Sequence, residues 1–431
     1  LGLIEAIDPA HVADPKGRLT AAKVYLDRAK ALDSFVLDPG QPAVSLTQET
    51  IPRGADKVTG ELERATTVAE RKPLHDLTFT FGAGILYDSN VTLLGRNTYA
   101  PVTKDRKRDF RAMSSFQIDY VADLDAYAPG NAFLKRWQVF LEGRANSTWN
   151  ARIHDFNEQY YGATANVRYE IVGPGAVEQL DGVYAHVRYD YDQIMLGNNG
   201  FLAYNRLRPM LQVVAFERFL DTQVFFSYER RNYQEDLFDE RFDRDGDYFS
   251  GGVNAQLDFG RWVDADKLWG EWAWGGLAPH KTDPAWRRPL LFSSGIEFTS
   301  NSTDGDEFDY SSAILNAGVI VPFPVGIDFV VAGVWEWQDY WQNSLIDRNR
   351  RPREDFIQEY RFRAERKFFL TQNYKDDFEY SMPLNLTRLV MTVYGDIRFT
   401  IDDSNVRDRL GQSVFEYNRI QYGAGVRFDL N

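Results

Sequence analysis

Residues Tyr417 to Asn431 read YNRIQYGAGVRFDLN and alternate strictly. Ile420, Tyr422, Ala424, Val426, Phe428 and Leu430 share one face, and Gln421, Gly423, Gly425, Arg427 and Asp429 share the other. Side chains of a strand repeat with a period of two, so this segment is a strand with one apolar and one polar, charged face. The same period runs back to Leu77. There Leu77, Phe79, Phe81, Ala83, Ile85 and Tyr87 alternate with Thr78, Thr80, Gly82, Gly84 and Leu86, until Asp88-Ser89-Asn90 breaks into a loop.

Between these two segments the alternation predicts strands at 109–123, 134–150, 157–172, 182–196, 202–217, 220–233, 246–260, 288–300, 308–321, 326–341, 355–370 and 386–401, which makes about fourteen. Strands of this length exceed the ~9–11 residues that cross a bilayer, so several project beyond it. The expected fold is an all-β transmembrane antiparallel barrel over residues 76–431, preceded by a short, partly helical periplasmic segment at 1–75. An even strand number puts both ends of the barrel on one side. Gly173–Gln179, Glu217–Leu220 and Pro322-Phe323-Pro324-Val325 are then periplasmic turns, and 91–108, 233–246, 300–307, 341–354 and 402–413 are outer loops. The Trp-rich link 261–287 and the link 371–385 each have room for a further hairpin, which keeps twelve and sixteen strands open. Tyr422, Phe428 and Leu430 resemble the C-terminal assembly signal of outer-membrane barrels, with Leu430-Asn431 where most such barrels close on an aromatic.

Composition agrees. The chain has 431 residues, a formal net charge of -14, no cysteine, 23 Tyr and 10 Trp. No apolar run approaches the ~18–20 residues of a membrane helix. The mean hydropathy of -0.44 does not oppose a barrel, in which only alternate residues meet lipid. The aromatic residues suit girdles at two membrane interfaces, and the acidic balance argues against a nucleic-acid partner. Leu1 is expected to follow a removed signal peptide, which places the barrel in a bacterial outer membrane with its N-terminus in the periplasm. Outer-membrane lipid, lipopolysaccharide and the barrel assembly machinery are the expected partners.

Assigning the apolar face to lipid sends a polar set inward: Glu142, Arg144, Arg168, Glu170, His186, Arg188, Asp190, Glu229, Arg231, Asp328, Glu336, Arg361, Arg363, Lys367, Arg388, Asp396, Arg398, Arg427 and Asp429. A lipid-facing Arg or Lys at the midplane costs about 2–4 kcal/mol, so these residues face water or each other. Opposite charges on neighbouring strands would brace the wall. Arg361, Arg363 and Lys367 beside Arg388 and Arg398 would instead form a basic ladder that attracts anions.

Catalytic chemistry is not expected. The five histidines do not pair at metal-ligand spacing, and His154 in a short loop has no serine motif beside it. Phosphate-binding and dinucleotide-binding glycine patterns are absent from the sequence, and no cofactor is expected. The carboxylates Asp243, Asp245 and Asp247 are the candidates for a loop-bound Ca²⁺, although Gly246 is misplaced for the twelve-residue calcium loop.

Within Arg18–Leu37, Ala22, Leu26, Ala29 and Leu32-Asp33 fall on the spacing of the second helix of a tetratricopeptide repeat. With Gly82 and Gly84 leading into Tyr87-Asp88-Ser89-Asn90, this resembles the tetratricopeptide-linked outer-membrane barrels, which include surface lipoprotein assembly modifiers and exopolysaccharide export barrels. The resemblance implies export of a polymer or secreted protein with a periplasmic partner. A passive or solute-selective porin and a structural barrel anchoring an envelope complex are the alternatives.

Overall fold

A computed structural model describes residues 75–91, 108–124, 131, 133–174, 176–197, 199–234, 243–273, 288–305, 308–344, 349, 351–370, 389–406 and 415–430. Residues 1–74, with the expected helical segment and repeat-like spacing, lie outside these described residues. Fourteen strands run in order: β1 His75–Asp88, β2 Asp109–Asp123, β3 Trp137–Asn150, β4 Glu158–Val172, β5 Leu180–Leu196, β6 Asn199–Ala215, β7 Leu220–Tyr233, β8 Gly246–Asp258, β9 Leu291–Thr303, β10 Tyr310–Pro322, β11 Ile327–Asn343, β12 Pro352–Phe369, β13 Leu389–Ser404 and β14 Tyr417–Leu430. Each pairs antiparallel with its chain neighbours, and β1 pairs with β14, so the sheet closes and has no free edge.

Closure at fourteen settles the count. Twelve and sixteen strands are both excluded, because β8 pairs with β9 and β12 with β13 without an intervening hairpin. The link after β8 begins with a 3-10 turn at Phe259–Arg261 and a short helix, Ala265–Trp269, whose first turn is capped by the Asp264 side chain. The Trp269 indole donates to the Pro322 carbonyl at 2.9 Å and its ring packs beside Phe323. Trp269 therefore ties this link to the β10–β11 turn rather than lining a strand. Residues 371–388 lie outside the described residues.

The barrel is apolar outside and polar inside. Ile85, Val187, Leu207, Phe226, Ile296, Phe298, Val331 and Val393 stand exposed on the outer wall, while arginines, carboxylates, Gln and Asn are buried on the inner one. A water-soluble sheet protein has the reverse arrangement, and an exposed apolar belt of this extent needs lipid against it. The molecule is a transmembrane β-barrel of the outer-membrane kind. Among the described residues no helix is long and apolar enough to cross a membrane.

The Tyr87-Asp88-Ser89-Asn90 run fastens the closing seam. Asp88 is fully buried and holds Arg111 of β2 at 3.0 Å, Arg419 of β14 at 2.5 Å and Gln421 at 3.1 Å. Ser89 exchanges hydrogen bonds with the Ile420 backbone, through its own N–H at 3.0 Å and its hydroxyl oxygen at 2.7 Å. On the outer face Tyr87 stacks on Tyr422 with ring centroids 6.0 Å apart. A run that resembles a family signature thus has a local mechanical reason: it joins the first strand to the last.

Candidate channel lining

The sequence-predicted lumen residues that are described all lie on the inner face, because the period-two alternation holds through the strand segments that carry them, the register shifts of β4, β5 and β11 falling near strand ends. Arg388 lies outside the described residues. What alternation alone cannot give is which inner residues meet, since that depends on the register between strands.

From β3 to β7 the charges interlock. Arg144 lies 3.2 Å from Glu142 and 3.1 Å from Asp192, which also accepts the Tyr160 hydroxyl. Arg188 holds Asp190 at 2.6 Å, and Thr164 donates to the same carboxylate at 2.6 Å. Arg206 lies 2.8 Å and Arg231 2.5 Å from Glu229. Arg168 donates to Gln138 and stacks between the rings of Phe140 and Tyr184. Asp192, Arg206 and Arg208 belong to this lining although the sequence reading passed over them. Their positions two residues from Asp190 and from each other, on inner-face parity, are the signal that finds them.

On β12–β14 the expected basic ladder is a mixed one. Arg361 stands directly across from Arg398, and Asp396 lies between them at 2.8 and 2.9 Å. Arg363 lies over the Tyr394 ring at 4.2 Å, and Arg427 lies 3.1 Å from Asp429. Lys367 is half-buried, and Glu365 is buried on the same strand face. Beside this group β1 and β2 present Gly82, Gly84 and Ser115, so the wall is recessed. A cavity of about 50 Å³ opens there, with Arg144, Arg363 and Arg427 among its lining residues. A Cβ at Gly82 would sit 2.3 Å from the Ser115 oxygen, so a larger side chain there would intrude on its neighbour.

The arc from β8 to β11 differs. These four strands contain no Lys or Arg, but Glu297, Asp328 and Glu336 face inward. By strand order β8–β10 lie seven strands from β1–β3, on the far side of the barrel from that part of the arginine-lined cavity, whereas β11 pairs with β12, which carries Arg363. Glu336 accepts from Gln338 at 2.8 Å, and Asp328 is held at 2.9 Å by Arg288 of the β8–β9 link. Glu297 is 1% exposed, and neither carboxylate oxygen has a hydrogen-bond partner.

The loop carboxylates do not converge. Asp243 accepts the Asp245 N–H at 2.9 Å and Asp245 accepts the Tyr233 N–H, while Asp247 accepts the Tyr228 hydroxyl at 2.8 Å on the outer face. Among the described residues no group of three or more carboxylate or imidazole side chains is placed to hold a metal.

Neither a protein-family model nor a curated protein matches the chain's sequence. Solved structures similar to it include CdiB from Acinetobacter baumannii, at TM-score 0.36 and 10% identity over 81% of this chain and 60% of that one. Pseudomonas aeruginosa OpdQ gives TM-score 0.33 and 9% identity over 83% of this chain and 97% of that one. The P. aeruginosa outer membrane protein OprD gives 0.31 and 9%, over 84% and 95%. The chain thus spans less than two thirds of the length of CdiB. The membrane-barrel reading rests on the strand pairing and the inverted polarity described above.

Proposed function

We propose that this barrel is an outer-membrane channel for small charged solutes, with its chain termini at the periplasmic face. The observation that carries the reading is the division of the inner wall. The cavity lined by Arg144, Arg363 and Arg427 is built on β12–β14 and β1–β3, while β8–β11 carry no Lys or Arg and turn Glu297 and Glu336 inward, with β9 seven strands from β2. Paired arginines on one stretch of the wall and carboxylates without strand Lys or Arg on another give a solute unequal electrostatic surroundings along its path. At fourteen strands the barrel is wider than the eight-stranded kind that side chains fill and narrower than open porins. The lipid belt and assembly signal fit outer-membrane lipid, lipopolysaccharide and the barrel assembly machinery as partners.

Export, implied by the resemblance to tetratricopeptide-linked barrels, depends on residues 1–74 as a receiving or gating segment. Planar-bilayer conductance of the whole chain, beside a form lacking those residues, separates the readings. Steady conductance from the whole chain is the expected result. Conductance only after truncation would contradict free permeation and favour a gated exporter. Silence from both would leave a structural barrel anchoring an envelope complex.

A further inference from the structure

We infer that the inner face of β8–β11 holds a recognition site for an organic cation, an alkyl ammonium or guanidinium group, centred on Glu297. The site begins with an unmet charge. Glu297 is 1% exposed with both oxygens unpartnered, and a buried carboxylate without a counter-charge is strongly unfavourable. Buried, unpartnered polar atoms surround it: the Tyr248 hydroxyl, Asn254 Oδ1 and Asn316 Nδ2. Strand register brings them together. Gly252, Glu297, Ile314 and Glu336 are successive cross-strand partners, and Asn254, Gly295 and Asn316 form the adjacent row.

Glycines leave the room. The room they leave is taken by polar side chains: Gly252 flanks Glu297, and over Gly295 the Asn254 Oδ1 and Asn316 Nδ2 atoms fill the space a Cβ would occupy, 1.9 and 2.8 Å from it, which gathers these amides beside Glu297. The occupant is chosen by what lies between the two glutamates. Tyr248 and Ile314 form a buried apolar cluster with Val334 packed against it. Glu297 and Glu336 stand two strands apart, about 10 Å between backbones. A hard metal ion wants six or more converging oxygens, which this spread pair does not offer. A cationic head on a short hydrocarbon stem matches both the carboxylates and the apolar strip. The neighbouring Arg231, whose guanidinium lies 4.0 Å over the Tyr248 ring, already shows that such a group fits against this wall.

The inference rests on the lumen being a solute path, so binding is tested apart from conductance. The full chain, folded in detergent micelles, is titrated with pentylamine while the Ile314 methyl resonance is followed, assigned with Ile314→Val. Saturable perturbation of that methyl is expected, with affinity at least about tenfold weaker in Glu297→Gln, the loss of one charge-assisted contact. Pentanoate should leave the Ile314 signal unmoved. Pentylamine that does not perturb Ile314 in the unmutated chain, or that binds equally well to Glu297→Gln, would overturn the site. So would calcium chloride perturbing Ile314 where pentylamine does not. Binding in a barrel that never conducts would leave the site standing and remove the channel, and conductance without binding would do the opposite.

Discussion

Along β3–β7 the buried carboxylates Asp190, Asp192 and Glu229 each lie against a guanidinium, whereas on β9 the equally buried Glu297 touches none. Both arcs belong to one closed sheet with the same alternation, so the fold does not demand the difference. The paired arc is made of charges that hold one another and brace the wall. On the β8–β11 arc Asp328 is held by Arg288 and Glu336 by Gln338, while Glu297 keeps its charge unpartnered. A barrel whose charges served only to stiffen it would give every carboxylate a partner, because each unpaired one weakens the fold.

The largest expected effect lies in the paired part. Asp88→Ala leaves Arg111 and Arg419 buried without their shared carboxylate at the seam. Losing one partner of a buried ion pair costs about 3–5 kcal/mol. Urea unfolding in detergent, followed by the loss of the compact band in gels of unheated samples, should show a sharply lowered midpoint. An unchanged midpoint would mean that the clasp does not hold the barrel shut.

The next test moves a charge across the wall. Arg188 faces inward against Asp190, and its neighbour Val187 is exposed on the outer belt. Val187→Arg should cost about 2–4 kcal/mol in lipid near mid-bilayer. Vesicle-based unfolding checks the figure, and a neutral result would contradict the lipid assignment of that face.

The unpartnered Glu297 should respond in the opposite direction. Glu297→Gln removes a buried charge that has no partner, so it should stabilise the fold by about 1–3 kcal/mol, the range of an unsatisfied buried group. A loss of stability in urea unfolding would mean that Glu297 braces the wall after all. The smallest effect belongs to the outer seam, where Tyr422→Ala removes the stack on Tyr87. About 0.5–1.5 kcal/mol should be lost beyond the change in buried area, measured by a double-mutant cycle with Tyr87→Ala.

How far these arcs can be read from the chain differs with the level of structure. The alternation in Leu77–Tyr87 and Tyr417–Leu430 carries the barrel, and the expected strand at 355–370 is observed as Pro352–Phe369. Inner-face membership follows from the same period. Pairing does not, because Asp396 neutralises two arginines only in the register that sets Arg361 against Arg398. A shift of one residue would have turned each of them to lipid. The absence of Lys and Arg from β8–β11 is visible in the letters, but its place in the barrel appears only when strand order sets β10 seven strands from β3, which carries Arg144. The Trp-rich link misleads for a related reason, since Trp269 is aromatic to reach Pro322 and Phe323 rather than to line a strand.

The measurement closest to the central claim is the reversal potential of single channels in a potassium chloride gradient, for the whole chain and for Glu297→Gln and Arg363→Gln. If the two walls carry opposite roles, Glu297→Gln moves the reversal potential toward anion preference and Arg363→Gln moves it toward cation preference. Equal reversal potentials in all three, or shifts of both variants in one direction, would contradict a lumen divided by charge.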